Sequence, residues 1–273
     1  INYNIENISA GSSIVSIQNI SGIEPDCYSS QSGGGPGYKD KYGICHKELS
    51  HCKNYQAAVL TVLSKRPQKN SFRPPFVGNE KPILLSNDLQ TQLLPKIEFD
   101  NKPNTTELNK IADYFKAPWL DYKSGWTSRY LHPVKNMPAY GRELSSSIGV
   151  GALTLTYNYT DEELNELLIN FIQLGIDLHY SVLTGTQWPN DGMHSQGRKY
   201  PIIFAGLMLN HSEMKNITQK TGDYLYTEEH SPSNKLEDYI NFAEDDQTFY
   251  VKQEDVDLKD YEWSCRGNNR TRH

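Results

Sequence analysis

The clearest hydrophobic pattern in the chain lies between residues 160 and 183. Apolar side chains recur there at helical spacing and form one stripe: Leu164, Leu167, Leu168, Phe171, Leu174, Leu178 and Val182. Such a stripe predicts an amphipathic helix with one buried face. Thr160 and Glu163 have the spacing of a capping box, in which each side chain accepts a hydrogen bond from the other residue's backbone N–H. The pattern therefore predicts a helix that begins directly after Thr160.

Three further segments are predicted to be helical. Residues 105–119 form a short helix, and residues 142–157 place four apolar side chains on one face: Leu144, Ile148, Ala152 and Leu155. Residues 200–209 are apolar nearly all round, which is typical of a helix buried between neighbours, and Pro201 suits its first turn. Only two residues connect the segment at 142–157 to the one at 160–183, so we expect those two helices to be antiparallel neighbours.

The first 64 residues have the composition of strands. "SSIVSIQNI" at 12–20 and "QAAVLTVLS" at 56–64 combine β-branched residues with short apolar runs. Between them lies a stretch rich in Ser and Gly that is typical of a loop. Together with the helical segments, this pattern predicts an α+β fold, in which an N-terminal β-rich segment is followed by antiparallel α-hairpins.

The changes of pattern along the chain predict four parts. Residues 1–64 form a β-rich, disulfide-prone segment. Residues 65–104, which contain six prolines, are predicted to be an extended linker that lies over the surface of the helical domain. Residues 105–220 form that α-helical domain. Residues 221–273 form a polar tail, in which "DQTFYVKQEDV" at 246–256 predicts one strand.

Net charge and motif content exclude several function classes. The chain carries a net charge of −6, which argues against a nucleic-acid partner. No apolar run approaches the ~20 residues that a membrane-spanning helix needs, so no membrane span is predicted. Short motifs of metallopeptidases, serine hydrolases, P-loops and dinucleotide folds are absent from the sequence, and no cofactor or metal follows from it. Because residue 1 is isoleucine, we expect a mature or partial chain.

Cysteines and glycosylation sequons favour an extracellular, secreted protein. The four cysteines are Cys27, Cys45, Cys52 and Cys265. No C-x-x-C pair is present, so disulfides are favoured over zinc, and three connectivities remain open. We expect at least one disulfide among the first three cysteines, with Cys265 as the partner of the one left over. The N-x-[ST] sequons begin at Asn7, Asn19, Asn104, Asn158, Asn210, Asn216 and Asn269, and these asparagines are predicted to carry surface N-glycans.

Two polar and aromatic segments, 124–143 and 184–199, flank the expected hairpin. If its helices are antiparallel neighbours, the two segments meet at the same end and build one face. The residues expected on that face are Trp126, Arg129, His132, Asn136, Tyr140, Arg142, Glu143, Trp188, Asp191, His194, Arg198 and Lys199. Arg198 and Lys199 precede a helix N-terminus, where the macrodipole disfavours positive charge. We therefore expect them to bind an anion, which is either an acidic sugar or one of Asp177, Asp191 and Glu143.

The residue types on this face suit carbohydrate chemistry. Aromatic rings stack on sugars, and the cations together with His132 and Asn136 bind substrate. In a lyase, Tyr140 or His194 takes the proton as general base. A hydrolase needs two carboxylates, for which Glu143 and Asp191 are the candidates. Each residue also has a structural interpretation, because Glu suits a helix N-terminus and tryptophans anchor loops. Whether the protein is an enzyme therefore stays open.

Several long segments resemble a group of largely uncharacterised, large secreted proteins of environmental and marine bacteria. The segments are "AAVLTVLS", "SFRPPFVGNEKPI", "WTSRYLHPVKNMPAYGRE", "LLINFIQLGIDLHYSV", "HSQGRKYPIIFAGLMLN" and "DDQTFYV", within residues 56–252. This resemblance implies secretion but brings no established activity. The helical hairpins are also similar, at the level of fold, to the (α/α) toroids of polysaccharide lyases and glycoside hydrolases. A complete toroid needs more hairpins than this chain holds.

Two functions are compatible with these features. The first is a secreted carbohydrate-active or glycan-binding protein that acts on an anionic polysaccharide, as a polysaccharide lyase or glycoside hydrolase if it is an enzyme. The second is an extracellular structural glycoprotein, a fibre or surface-layer subunit. Its strand at 12–20 would pair with the sheet edge of the next subunit. Partners are thus polysaccharide or covalent N-glycans in the first case, and further copies of the chain in the second.

Overall fold

The computed structural model describes residues 7–19, 28–29, 35–36, 54–121, 135–136, 141–188, 195–217 and 242–246. The strands are β1 (Ser13–Asn19), β2 (Tyr28–Ser29), β3 (Gly35–Pro36) and β4 (Asn54–Thr61). The helices are α1 (Thr105–Lys116), α2 (Gly141–Thr154), α3 (Asp161–Leu183), α4 (Lys199–Met208), α5 (Ser212–Lys215) and α6 (Ala243–Asp246). Helices combined with small antiparallel sheets confirm the predicted α+β class.

The two N-terminal segments predicted as strands pair with each other. β1 and β4 are antiparallel, from Ser13 opposite Thr61 to Asn19 opposite Asn54. The hydroxyls of Ser13 and Thr61 lie 3.0 Å apart at one end of the pair. β2 and β3 form a second, shorter antiparallel pair. Both predicted strands are therefore present, and they form a two-stranded ribbon.

Helix α3 forms the centre of the molecule. It begins as the capping box predicts, because Thr160 Oγ1 accepts from the N–H of Glu163 at 3.2 Å and Glu163 Oε2 accepts from the N–H of Thr160 at 2.8 Å. Every residue from Leu174 to Val182 is buried, so the second half of the helix has no solvent-exposed face. The helices predicted at 105–119 and 200–209 are confirmed as α1 and α4.

Close backbone approach joins α3 to α4. Gly175 makes this possible, because a Cβ at that position would lie 2.6 Å from Ala205 Cβ. Phe171 packs edge-on against Phe204, and eight residues later the ring of His179 lies 5.7 Å from that of His211. The two helices therefore run in the same direction.

The expected pairing of α2 with α3 is wrong. In the described part of the chain, α1 and α4 are the helices that pack most extensively on α3, while α2 packs chiefly on α1. Gly151 of α2 approaches Phe115 of α1 and Phe171 of α3 only at side-chain level. The expected two-residue connection is absent, because α2 ends at Thr154 and α3 begins only at Asp161. The second half of α3 is buried on all sides and packs on the more apolar α4.

Residues 65–104, predicted to be an extended linker, lie against the helices throughout. Phe72 and Leu94 belong to the hydrophobic core. Backbone hydrogen bonds tie the segment to the helical part, from Gln90 N–H to the carbonyl of Met208 and from Ile97 N–H to the carbonyl of Thr156. Two short 3₁₀ turns, Ser86–Asp88 and Thr91–Leu93, interrupt it.

A short piece of the predicted polar tail is part of the core. Phe242 and Ala243 are fully buried, and α6 begins at Ala243. Phe242 stacks on Trp188 at a centroid distance of 6.0 Å, and the backbones of the two residues form a parallel bridge. Of the strand predicted at 246–256, Asp246 lies in α6 and the remainder lies outside the described residues.

Candidate functional site

Many residues of the predicted polar face lie outside the described residues. These are Trp126, Arg129, His132, Tyr140, Asp191 and His194, together with the side chain of Arg142. The same holds for Cys27, Cys45, Cys52, Cys265, Asn269 and the side chain of Asn19. The catalytic roles given to Tyr140, His194 and Asp191, and the disulfides, therefore stay predictions. The remaining members of the face are described, and they do not form an open site.

Arg198 is enclosed by the protein. Its side chain is 1% exposed, and it donates to Asp121 from Nε at 2.7 Å and from Nη2 at 3.4 Å. Nη1 donates to the carbonyl of Gln196 at 2.6 Å. The described carboxylate partner is thus Asp121, which follows α1; the expected Asp177 and Glu143 form no ion pair with Arg198, and Asp191 lies outside the described residues. Because this guanidinium is bound on both sides, Arg198 is a structural ion pair and not a substrate contact.

The N-terminus of α4 is neutralised by a residue distant in sequence. Glu244 Oε1 accepts from the N–H of Gly197 at 2.8 Å and from that of Lys199 at 3.2 Å. A carboxylate at this position complements the helix macrodipole. Lys199 Nζ lies 5.9 Å from the ring centroid of Phe242, within cation–π range. The two cations before α4 are therefore accompanied by Asp121 and Glu244, which sequence reasoning missed.

Trp188 and Asn136 are also structural. Trp188 is fully buried and cannot present a face to a sugar ring. Asn136 donates from Nδ2 to the carbonyls of Tyr114 and Ala117 at 3.1 and 3.0 Å, which closes the C-terminal end of α1. Glu143 is exposed in the first turn of α2, the position that helix electrostatics favours. The substrate-binding roles predicted for Trp188 and Asn136 are therefore wrong.

The expected meeting of segments 124–143 and 184–199 stays a prediction, because residues 122–134 and 137–140 lie outside the described residues, but one contact next to it is described. Gly197 has a φ of +93°, and a Cβ there would lie 2.9 Å from Ser145 Cα. The end of the segment 184–199 thus rests on the first turns of α2. This contact is tight packing of glycine against a helix backbone, so it leaves no room for a ligand between Gly197 and Ser145.

A different part of the molecule holds an open cleft. It lies between residues 69–73, the end of α1 and the middle of α3, and its volume is about 360 Å³. Amide side chains of Asn70, Asn165, Asn170 and Gln173 line it, as do the apolar residues Phe72, Phe115 and Trp119. Lys69, Arg73, Lys116 and Asp177 are its charged residues. This volume and this mixture of aromatic rings with a few polar groups are typical of small-molecule sites.

Two interactions hold the wall of this cleft against α3. Gln173 accepts from the N–H of Arg73 through Oε1 at 2.9 Å and donates from Nε2 to the carbonyl of Arg73 at 3.0 Å. The Arg73 guanidinium also donates to the carboxylate of Asp177. Arg73 belongs to the proline-rich segment that the sequence predicts to be a linker. Sequence reasoning missed this wall because its partners are about a hundred residues away.

Burial controls the acid–base behaviour of Asp177. Its side chain is 4% exposed, and this burial raises the pKa of the carboxyl group to about 6, although Arg73 and Gln173 act in the opposite direction. Burial likewise lowers the pKa of nearby Lys81, whose Nζ donates to the carbonyls of Pro75, Val77 and Gly78. Lys81 thereby orders the loop that follows Arg73.

The described residues were also compared with the requirements of metal binding, membrane spanning and N-glycosylation. Among them, no group of three or more His, Cys, Asp or Glu side chains is placed to hold a metal ion. The helices in the described ranges are all too short or too polar to span a membrane. Four of the described sequon asparagines are exposed, namely Asn7, Asn104, Asn210 and Asn216. Asn158 is half-buried, and its Nδ2 donates to Glu98.

The chain matches no protein-family model, no curated protein and no solved structure. Its function therefore has to be argued from the geometry and chemistry of its own residues.

Proposed function

We propose that the protein is a secreted glycan-binding protein and that the cleft beside residues 69–73 binds an anionic polysaccharide. The cleft itself carries the proposal. Amide side chains donate and accept hydrogen bonds at once, as sugar hydroxyls require. The apolar residues Phe72, Phe115 and Trp119 belong to the lining but are only 2–5% exposed, so they shape the cleft by packing and leave ligand contacts to the amides. This cleft is separate from the polar face expected from the sequence.

The charges of the cleft favour an anionic ligand. Lys69 is exposed and forms no ion pair with a described residue. Lys116 is held by Glu166 at 2.6 Å on the rim. Asp177 is the one carboxylate in the lining, and Arg73 binds it. The lining therefore repels an acidic sugar less than the chain's net charge of −6 suggests.

Binding without catalysis fits this lining better than hydrolysis does. A glycoside hydrolase needs two carboxylates, one on each side of the scissile bond, and the cleft offers Asp177 alone. That carboxylate is nearly buried and ion-paired, so it is poorly placed to reach a substrate. An activity that uses Tyr140, His194, Glu143 or Asp191 would have to be located elsewhere on the molecule.

The exposed sequons support the extracellular part of the proposal. N-glycosylation takes place at the Nδ2 atom of an accessible asparagine. At Asn104 the Oδ1 atom accepts from the N–H groups of Thr106 and Glu107 as the cap of α1, and at Asn210 Oδ1 accepts from Lys215. Both arrangements leave Nδ2 available for a glycan. Asn158 is the described sequon that suits modification least.

Titration calorimetry with polygalacturonate, chondroitin sulfate and neutral dextran tests the proposal. We expect the acidic polymers to bind, and Lys69→Gln to weaken that binding several-fold. Lys110→Gln is the matched control, because it removes one exposed charge from α1 outside the cleft. Absence of binding to all three polymers would contradict the proposal, as would equal losses in the two variants.

A second candidate, a self-assembling extracellular glycoprotein, is favoured by the β1–β4 ribbon. Val15 and Leu60 are 38% and 62% exposed on it, and a two-stranded ribbon with exposed apolar residues is prone to pair with further strands. Sedimentation velocity decides between the candidates. Concentration-dependent assembly that Leu60→Lys abolishes would support the structural function, whereas a monomer at all concentrations would exclude it.

A further inference from the structure

A second cleft adjoins the first. It has a volume of about 520 Å³ and is lined by residues between Thr61 and Pro74. Four residues line both clefts: Lys69, Ser71, Phe72 and Arg73. Their backbone is ordered by pairing with residues 84–86, through the N–H of Phe72 to the carbonyl of Leu84 at 2.8 Å and the N–H of Ser86 to the carbonyl of Asn70 at 2.9 Å. The two clefts are thus the two sides of one fixed wall.

The two clefts differ in chemistry. Amides dominate the first, whereas the second is lined by the cations Lys65, Arg66, Lys69 and Arg73 and by no acidic residue. No Asp or Glu occurs between Ser64 and Asn79 in the sequence. Lys65, Arg66 and Lys69 are exposed and make no ion pair with a described residue. The second cleft therefore brings together three cations, Lys65, Arg66 and Lys69, that have no carboxylate partner among the described residues.

The shared wall also holds a polar atom that lacks a partner. Ser71 Oγ makes no hydrogen bond to any described residue, although it is buried. Buried hydroxyls are normally hydrogen-bonded, and Ser71 lines both clefts. Ser71 therefore belongs to a wall with amides on one side and cations on the other, but its buried oxygen is not accessible to a ligand in either cleft.

We propose that the two clefts form one groove for an acidic oligosaccharide. In this groove one sugar unit presents its hydroxyls to the amide-lined cleft, and the anionic group of the neighbouring unit binds among Lys65, Arg66 and Lys69. The inference rests on the proposed function and adds the class of ligand, which is an acidic oligosaccharide whose adjacent units contact the two clefts. Ammonium and guanidinium groups bind carboxylates and sulfates by charge-assisted hydrogen bonds, so either anion is accommodated.

Two variants, each of which changes one cleft and leaves the other intact, test whether the two clefts bind different parts of the ligand. The combined variant Lys65→Gln/Arg66→Gln changes only the second cleft, and Asn165→Ala changes only the first. Asn109→Ala and Lys110→Gln are matched controls, since both residues are exposed on α1 and line neither cleft. All four changes are at exposed positions, and melting temperatures within a few degrees of wild type verify that each variant is folded.

The ligands are hexamers of galacturonate, of sulfated chondroitin and of neutral maltose units, with single-stranded DNA as a polyanion without sugar acids. We expect the combined variant to lose about tenfold in affinity for the acidic hexamers, equivalent to one good charge contact, and to bind the neutral hexamer as wild type does. Asn165→Ala is expected to weaken all three hexamers. Chondroitin sulfate carries carboxylates as well as sulfates, so its stronger binding would show that the sulfates contribute, and stronger binding of galacturonate would show that carboxylates suffice; both orders support the groove.

Three outcomes overturn the inference. The first is wild-type affinity of the combined variant for acidic hexamers, and the second is DNA binding as tight as that of the hexamers. The third is equal affinity of wild type for acidic and neutral hexamers. Failure of wild type to bind any oligosaccharide would instead remove the proposed function itself, so the two failures are distinguishable.

Discussion

Two cationic segments of this chain differ in solvent exposure, and in each the exposure is the opposite of what its sequence suggests. Residues 187–201 have the composition of a polar loop, yet Trp188 and Arg198 are fully enclosed. Residues 65–73 have the composition of a linker, yet Lys65, Arg66 and Lys69 are exposed and line the clefts. The difference lies in whether a cation has a carboxylate partner elsewhere in the chain. Asp121 binds Arg198 from 77 residues away, whereas Lys65, Arg66 and Lys69 have no such partner among the described residues.

The largest expected effect comes from breaking the Arg198–Asp121 pair. Arg198→Ala removes the guanidinium that binds the buried Asp121 carboxylate, so we expect the free energy of unfolding to fall by about 3–5 kcal/mol. Urea denaturation followed by circular dichroism measures this loss. The combined variant Asp121→Asn/Arg198→Met should recover much of the stability, because it removes both charges. A stable Arg198→Ala variant with lost glycan binding would instead return the site to the predicted loop.

The second effect concerns the tail that closes the same region. Phe242→Ala removes a fully buried ring that stacks on Trp188, and truncation of this kind costs about 3 kcal/mol. Fluorescence of the tryptophans should shift to longer wavelength as water reaches Trp188. If stability is unchanged, the tail is not part of the core and the enclosure of this region has another cause. Glu213→Ala, at an exposed position of α5, controls for the effect of any truncation.

The two segments also show which features of the fold can be predicted from the sequence. Features that depend on local patterns can be predicted, and features that depend on distant partners cannot. Helix α3 was predictable because its apolar stripe and the box formed by Thr160 and Glu163 are local patterns. Helix α4 was predictable for the same reason. Gly175, an isolated glycine in an apolar helix, is a local signal for the close approach of α4 that periodicity alone does not use.

The candidate site was not predictable, because its parts are distant in sequence. The cleft exists since Gln173 binds both backbone groups of Arg73 across a hundred residues. Likewise, Glu244 reaches the start of α4 from the tail. Neither contact leaves a periodic pattern or a motif, and proline content alone led to the interpretation of residues 65–104 as a linker. Polar residues in a single sequence show composition, but exposure depends on partners that only the fold brings together.

The third expected effect concerns the ion pair of Arg73 with Asp177 in the cleft, which differs from the pair of Arg198 with Asp121. Burial raises the pKa of Asp177 to about 6, above the value of about 3.9 expected in the unfolded chain. The folded state therefore holds this proton more tightly, so the contribution of Asp177 to stability is most favourable below about pH 4 and is lost as the pH rises through about 6. Asp177→Asn removes the charge, and we expect it to stabilise the protein by roughly 2 kcal/mol at pH 7.5.

This stabilisation should disappear near pH 4, where Asp177 is protonated in wild type as well. Denaturation of both proteins across pH 4–8 measures the difference, and taking the difference cancels titration of the other groups. Removal of one charge is therefore expected to stabilise the protein in the Arg73–Asp177 pair and to destabilise it in the Arg198–Asp121 pair. The reason is that Arg73 is partly exposed and Arg198 is not. A variant that is less stable than wild type at pH 7.5 would mean that Arg73 outweighs the burial of Asp177.

The smallest expected effect concerns the carboxylate at the start of α4. Glu244→Gln keeps an oxygen that can accept from Gly197 and Lys199 but removes the charge, so we expect a loss of about 0.5–1 kcal/mol, the usual contribution of an anion at a helix N-terminus. Glu244→Ala removes the acceptor too and should cost roughly 1 kcal/mol more, the net value of a hydrogen bond. Added salt should reduce the difference between wild type and Glu244→Gln, because screening weakens charge–dipole interactions at a partly exposed site. Thermal denaturation at low and high salt measures both contributions.

If Glu244→Gln is instead as stable as wild type at low salt, the cations Arg198 and Lys199 are balanced without Glu244. Asp121 alone would then account for the enclosure of the loop, and the comparison with residues 65–73 would rest on a single ion pair.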